Sequence, residues 1–148
     1  MKPAPRNAND PHDLQRFVDA QAPVFERVRS ELREGRKASH WMRFVFPQVE
    51  GLGSSELARR FAISSREEAE AYLAHPVLGP RLLECTRLVN LVERRPIGQI
   101  FGSPDDMKFR SSMTLFAHVA PGNGVFQEAL QKYFGGQPDP ATLERLRR

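Results

Sequence analysis

Apolar residues recur every three or four positions along most of this chain, and proline or glycine interrupts the pattern at short intervals. A spacing of three to four residues places apolar side chains on one face of an α-helix, whereas proline and glycine end helices. The 12 prolines and 10 glycines are enough to divide the chain into six to eight short helices. We therefore predict an all-α chain that folds as a single compact multi-helical domain.

The helical domain is expected to span residues 10–148, after a disordered N-terminal arm at residues 1–9. The arm is polar and rich in proline and asparagine, and it carries no apolar pattern. Hydrophobic residues make up 40% of the chain, which is enough for one core without disulfides or a structural metal. The single cysteine, Cys85, lies on the apolar face of a predicted helix and cannot form an internal disulfide.

Capping residues mark several of the predicted helix starts. Asp10, Ser103 and Asp139 each precede a proline, as an N-cap residue precedes a proline at the first helical position. The stretch 41–46 is rich in aromatic and branched residues, which favour strands. A lone strand would have no partner for its backbone polar groups, so we predict a helix there as well.

The charge pattern argues against two classes of partner. The net charge of +4 comes from basic and acidic residues that are intermixed, as on solvated helix faces, so a nucleic-acid partner is not expected. The arginines at 145–148 are the place where weak contact with nucleic acid would occur. No apolar run approaches the roughly 20 residues of a membrane span, so no membrane partner is expected. The N-terminus lacks the apolar stretch of a secretory signal, and we expect a cytoplasmic protein.

The first candidate site lies in residues 39–48, where Arg43 is surrounded by large apolar residues and bracketed by His40 and Gln48. In the structural interpretation, which the spacing favours, Arg43 extends its charged end to the surface or donates to a carbonyl. In the functional interpretation, Arg43 binds an anion and Trp41 or Phe44 stacks on a flat ligand.

The second candidate site lies on a helix predicted over residues 103–119. This helix is apolar on several sides, which is typical of a central helix. Asp106, Arg110, Thr114 and His118 follow one another at i+4 spacing along one flank. The favoured interpretation is an internal salt-bridge network in which Asp106 pairs with Arg110. The alternative is a ligand pocket in which Arg110 holds an anionic group and His118 transfers protons.

These two segments supply all the candidate site residues. The candidate catalytic residues are His118 and Asp106, and the candidate ligand-binding residues are Arg110, Trp41, His40, Arg43 and Lys108. No metal and no cofactor are expected, because the four histidines lack metal-ligand spacing and acidic residues at 105–106 suit a helix start. A nucleophilic pair of Cys85 and His118 is a further alternative, but nothing near the thiol in sequence activates it.

Several long segments have a distinctive sequence, namely residues 40–48 (HWMRFVFPQ), 72–82 (YLAHPVLGPRL), 101–116 (FGSPDDMKFRSSMTLF) and 133–143 (YFGGQPDPATL). Together they resemble the bacterial family catalogued as domain of unknown function 1810, over about residues 13–146. The resemblance implies a compact, mainly helical cytoplasmic protein without a defined activity. Some members carry the label calpastatin, which is a misassignment: an inhibitor that is disordered until bound would be poor in buried aromatics, and this chain has ten Phe.

A fainter similarity is to small helical proteins that bind or cleave nucleotide-ribose compounds. Together with the candidate residues, it favours a ligand-binding or hydrolase-like domain for an anionic, nucleotide-derived small molecule. The alternative is a protein-interaction module without catalysis, which predicts an exposed apolar patch of several hundred Å² instead of a polar cavity. Whether the chain is an enzyme, and which protein partner it has, are left open by the sequence.

Overall fold

The computed structural model describes residues 9–148, and this part of the chain forms ten helices in one domain. The helices in chain order are α1 (Gln15–Gln21), α2 (Phe25–Arg33), α3 (Met42–Val45), α4 (Glu56–Arg60), α5 (Arg66–Ala74), α6 (Leu78–Leu91), α7 (Ile97–Phe101), α8 (Asp105–Val119), α9 (Val125–Phe134) and α10 (Pro140–Leu146). The all-α prediction is confirmed. The predicted number of six to eight is too low.

The count is too low chiefly because α7 has no sequence signal of its own. Pro96 and Gly102 leave room for a single turn and a half between them, which is too short to show a helical period. Within residues 9–148, the extended backbone pairs at one place, a parallel bridge between Val49 and Ile63. The predicted arm at residues 1–9 lies, apart from Asn9, outside the described residues.

Helix α8 is the centre of the domain, as its all-round apolar character predicted. It packs against α5, α7, α9 and α10, while α6 packs against α2, α5 and α9. Every residue from Ser111 to Phe116 on α8 is buried. A helix that is buried on all sides in its middle presents only its ends to solvent, so any site that uses α8 must lie near one of its termini.

The three predicted helix caps, Asp10, Ser103 and Asp139, differ in how well the structure agrees with them. Asp139 caps α10 through a 3.0 Å hydrogen bond from the Thr142 amide, as predicted. The Asp10 carboxylate does accept hydrogen bonds from the amides of Leu14 and Gln15, but α1 begins at Gln15 and not at Pro11. The prediction that Ser103 caps α8 is wrong, because Pro104 itself occupies the N-cap position and the serine lies one residue too early.

An aromatic cluster joins α3, α7 and α8 at the end of the domain where α8 begins. The Phe109 ring packs against Phe101 and Phe46, with ring centroids 4.9 and 5.1 Å apart, and Trp41 packs edge-on against Phe101 at 6.3 Å. Rings in these tilted and stacked geometries attract each other beyond the effect of burial alone. The cluster fixes the segment around Trp41 against the first turns of α8.

Candidate functional site

A cavity of about 260 Å³ opens where the loop before α3 meets the start of α8. Its wall combines apolar and charged side chains from four parts of the chain. The lining residues are Lys37, His40, Trp41, Met42, Arg43, Phe44, Ser55, Leu57, Asp105 and Lys108. This first cavity brings together four of the seven predicted site residues: His40, Trp41, Arg43 and Lys108.

The Glu31 carboxylate holds the loop that forms one side of the first cavity. It accepts hydrogen bonds from the amides of Ala38 and Ser39, from the Ser39 hydroxyl at 2.6 Å and from Trp41 Nε1 at 2.9 Å. Burial of Glu31 raises its pKa, but these hydrogen bonds outweigh burial and hold the pKa below its usual value. A buried, ionised carboxylate on α2 therefore sets the positions of residues 37–41.

Trp41 forms the floor of the cavity and is almost entirely buried, with 1% of its surface exposed. Its indole N–H donates a hydrogen bond to Glu31, and its ring lies against Phe46 and Phe101. A ring this deeply buried has no open face, so the structure does not support the expected stacking of Trp41 on a flat ligand. Phe44 is half-buried and Leu57 is 54% exposed, so these two offer the accessible apolar surface.

Two lysines share one carboxylate at the mouth of the cavity. Lys37 Nζ lies 2.9 Å from Asp105 Oδ2, and Lys108 Nζ lies 2.9 Å from Asp105 Oδ1. Burial raises the pKa of Asp105, but the hydrogen bonds and charges of Lys108 and Lys37 outweigh it and lower the pKa. Lys37 Nζ also lies 5.3 Å from the centroid of the Trp41 ring. One negative charge thus faces two positive ones.

Arg43 adds a third positive charge and has unused donors. Its Nη1 donates a 2.7 Å hydrogen bond to Gln48 Oε1, and within residues 9–148 the guanidinium makes no other hydrogen bond. Since arginine has five N–H donors, four are available. The guanidinium lies over Gly53, where a Cβ atom would be 3.2 Å from both Nη atoms. A glycine at position 53 therefore makes room for Arg43 at the cavity wall.

A second cavity, of about 380 Å³, lies on the other side of Arg43 and Lys108, which line both cavities. Its wall is formed by the start of α8, the start of α10 and the segment after α3. Besides Arg43 and Lys108, the lining residues are Gln48, Leu52, Pro104, Met107, Ser111, Asp139 and Ala141. We call the two neighbouring cavities together the groove, and the pair Arg43 and Lys108, which lines both of them, the ridge.

The structure places Arg110 away from both cavities. Its Nε and Nη2 donate 3.0 Å hydrogen bonds to the carbonyls of Gln137 and Pro138, and its guanidinium carbon lies 5.8 Å from the Phe134 ring centroid. Arg110 thus fixes the segment between α9 and α10. The predicted ion pair with Asp106 is not formed, because the guanidinium donates its hydrogen bonds to these loop carbonyls instead.

The two predicted catalytic residues also lie outside the groove. His118 is exposed near the C-terminus of α8, where its ring contacts the Arg66 guanidinium of α5. Asp106 lies in the first turn of α8, and its Oδ1 accepts a hydrogen bond from the Met107 amide. Because α8 is 15 residues long, about 22 Å by the helical rise, its ends cannot contribute to one small site.

Two charged residues of the first cavity, Lys37 and Asp105, were not predicted from the sequence to be site residues. Lys37 belongs to a basic stretch that resembles a solvated surface, and only its 9% side-chain exposure distinguishes it. Asp105 was explained by its position at a helix start, which is correct but does not show its contacts with two lysines. The contact between Lys37 and Asp105 joins residues that are 68 positions apart, so it can be seen only in the folded structure.

The remaining chemical alternatives receive no support. Burial raises the pKa of the Cys85 thiol to about 12, so it is not ionised near neutral pH and is not an activated nucleophile. Within residues 9–148, no group of three or more His, Cys, Asp or Glu side chains is placed to hold a metal ion. Over the same residues, the longest apolar helix segments fall short of what a membrane crossing requires.

Comparison with known proteins gives one family and one solved structure. A family model described as "Protein of unknown function (DUF1810)" matches residues 11–146. The crystal structure of the conserved hypothetical protein Rv1873 from Mycobacterium tuberculosis is similar over 94% of this chain and 99% of that one, with 60% sequence identity and a TM-score of 0.93. No curated protein matches the chain.

Proposed function

This chain belongs to the family of proteins of unknown function DUF1810, and we propose that its first cavity binds a small organic phosphate. The observation that carries the proposal is the surplus of positive charge there. Lys37, Arg43 and Lys108 line the cavity together with a single carboxylate, that of Asp105, which contacts the two lysines. Buried or half-buried cations that outnumber nearby anions are best stabilised by a bound anion.

The geometry of the donors favours phosphate among the anions. Arg43 has four unused N–H donors, and each lysine has donors beyond the one it gives to Asp105. A guanidinium fork and two ammonium groups match the several acceptor oxygens of a phosphate group. Of the residues predicted from sequence to bind an anionic ligand, Arg43, Lys108 and His40 line this cavity, whereas Arg110 does not.

The apolar part of the wall supports an organic ligand over inorganic phosphate. Phe44, Met42 and Leu57 lie beside the cations, and Leu57 is one of three large apolar side chains that are exposed within residues 9–148. A flat or apolar group attached to the phosphate would cover this surface. A nucleotide has both parts, which fits the ligand class expected from sequence.

The proposal concerns binding, and His40 is the residue through which it could extend to catalysis. His40 is exposed at the cavity, and histidine is the side chain most often used as a general acid or base. A hydrolase activity would use His40 as its acid or base. Asp106 and His118 do not line the cavity and have no role in this proposal.

Calorimetric titration with phenyl phosphate and methyl phosphate tests the proposal. We expect both to bind wild-type protein, phenyl phosphate the more tightly because it also covers Phe44 and Leu57. Arg43→Met should weaken both about tenfold or more, since hydrogen bonds between charged groups contribute roughly 1.5–3 kcal/mol. Arg27→Met, at an exposed position on α2, is the matched control and should leave both affinities unchanged. Equal affinities for wild type and Arg43→Met would contradict the proposal.

The protein-interaction alternative makes a different prediction about the surface. It requires a continuous exposed apolar patch, but within the described part of the chain the exposed large apolar side chains are Leu57, Leu91 and Met107. Leu57 and Met107 line the first and second cavities respectively, and Leu91 lines neither of them. Two of the three exposed apolar side chains therefore lie at the groove and do not form a patch with Leu91, which favours a small ligand.

A further inference from the structure

We propose that the ligand extends across the Arg43–Lys108 ridge and places a hydroxyl-rich group, such as a sugar, in the second cavity. This inference rests on the proposed function, because it assumes a phosphate bound beside Arg43 and Lys108. Both residues line both cavities, so a phosphate held by them has one side toward each cavity. A group esterified to that phosphate can therefore lie in the second cavity.

The charge of the second cavity differs from that of the first. Asp105 in the first cavity has both carboxylate oxygens within 2.9 Å of a lysine. Asp139 in the second cavity has no such partner, because its hydrogen bonds come from Ser111, from the Thr142 amide and from the Thr142 hydroxyl. A second phosphate beside Asp139 would be repelled, so the second cavity suits a neutral polar group.

The unused hydrogen-bonding atoms of the second cavity are suited to hydroxyl groups. All three donors to Asp139 reach Oδ2, at 3.1, 3.0 and 2.6 Å, and in the chain from Asn9 onward Oδ1 accepts none. An ionised carboxylate oxygen is a strong acceptor for a hydroxyl donor. Gln48 uses Oε1 for Arg43 and keeps its amide N–H donors. One acceptor and one amide donor thus belong to residues that line the second cavity.

Apolar surface completes the fit to a sugar ring. Met107 is 46% exposed, and Leu52, Pro104 and Ala141 line the same cavity. A sugar presents hydroxyl groups at its edge and C–H groups on its faces, so a wall of polar atoms beside aliphatic side chains can contact both. At about 380 Å³ the cavity is in the size range of small-molecule sites.

The test uses methyl phosphate, ribose 5-phosphate and glucose 6-phosphate as probes, with wild-type protein and two tryptophan variants of α10. Ala141 is exposed and lines the second cavity, so Ala141→Trp fills that cavity without disturbing the core. Glu144→Trp places the same bulk at an exposed position of α10 outside the cavity and is the matched control. Neither variant alters Arg43 or Lys108.

We expect at least one sugar phosphate to bind wild type about tenfold more tightly than methyl phosphate. Ala141→Trp should remove that advantage and leave methyl phosphate binding unchanged, while Glu144→Trp should change neither. The inference is overturned if methyl phosphate binds as tightly as both sugar phosphates, or if Ala141→Trp leaves the advantage intact. Failure of every probe to bind would instead overturn the proposed phosphate site itself, so the two failures are distinguishable.

Discussion

Trp41 Nε1 donates a 2.9 Å hydrogen bond to Glu31 Oε1, and through it the floor of the first cavity is fixed to α2. The same carboxylate also accepts hydrogen bonds from the Ala38 amide and from the amide and hydroxyl of Ser39. Glu31 is 8% exposed, so its charge is stabilised by these four donors more than by water.

Glu31→Gln is predicted to destabilise the protein by about 2–3 kcal/mol, because it weakens several charge-assisted hydrogen bonds and turns an N–H group toward N–H donors. Urea unfolding followed by tryptophan fluorescence measures this effect, and Trp41 is the only tryptophan. Glu34→Gln, at an exposed position next to α2, should change stability by less than about 0.5 kcal/mol. Equal unfolding midpoints for the two variants would contradict the role assigned to Glu31.

The free energy of unfolding should decrease in acid, because the carboxylates of Glu31 and Asp105 become protonated. Folding lowers the pKa of Glu31 and Asp105 from ordinary values of 4.5 and 3.8. The unfolded chain therefore binds more protons just below pH 4.5, so the contribution of these groups is fully present above that pH. It is lost progressively as the pH falls through the lower folded-state values.

Urea titrations between pH 3 and pH 7 measure this dependence. The free energy of unfolding should be nearly constant above pH 5 and should decrease below about pH 4.5. Glu31→Gln should make the acid slope shallower. A slope that is identical in wild type and Glu31→Gln would show that Glu31 does not gain its stabilisation from ionisation.

The helical class and the position of α8 could be predicted from sequence because they depend on local spacing. Every third or fourth residue of α8 is apolar, and two stripes of this kind on one helix require burial on more than one side. The segment containing His40, Trp41 and Arg43 stood out for a similar reason, since a charge among aromatic residues must have a partner or a ligand.

The partners of those residues could not be predicted, because they come from distant parts of the chain. The carbonyls of Gln137 and Pro138 accept hydrogen bonds from Arg110, and His118 contacts a residue of α5. Spacing at i+4 showed that Asp106 and Arg110 share a flank, but it could not show that a loop carbonyl competes for the guanidinium. Lys37 was missed because its burial is a tertiary property.

Gly53→Ala is predicted to weaken phosphate binding by displacing Arg43. A Cβ atom at position 53 would lie 2.8 Å from the Ala58 Cβ and 3.2 Å from Arg43 Nη1 and Nη2. Real Cβ atoms do not approach as closely as 2.8 Å, so Gly53 or Ala58 must shift, and the Arg43 guanidinium must give way by a few tenths of an ångström. We expect a several-fold loss of affinity for phenyl phosphate by calorimetry. Gly122→Ala is the control, because a Cβ there meets nothing within 4 Å. Unchanged affinity in Gly53→Ala would mean that the position of Arg43 does not matter for binding.

Gly79→Ala is predicted to destabilise the protein by overpacking the contact between α5 and α6. Its Cβ would lie 2.1 Å from the Leu73 carbonyl oxygen, so α5 and α6 would have to separate. Overpacking of this kind costs roughly 1–3 kcal/mol, which urea unfolding would detect. Gly98→Ala on α7 should be neutral or stabilising, since its nearest neighbour would be 3.8 Å away. A neutral Gly79→Ala would contradict the close approach of the two helices.

Cys85 is predicted to be unreactive in the folded protein. The side chain is fully buried and its thiol has a pKa of about 12, so neither access nor ionisation favours reaction. Ellman's reagent at pH 8 should modify the native protein only at the rate of unfolding, and should react at once in 6 M guanidinium chloride. Rapid modification of the native protein would contradict the burial of Cys85.

The central claim is that an anion binds among Lys37, Arg43 and Lys108. Chemical-shift mapping of ¹⁵N-labelled protein titrated with methyl phosphate at constant ionic strength tests it most directly. We expect saturable shifts concentrated in the amides of residues 37–44, 53–57 and 105–108. Shifts that do not saturate, or that are spread over the exposed arginines of α2 and α10 and leave these three segments unmoved, would contradict it.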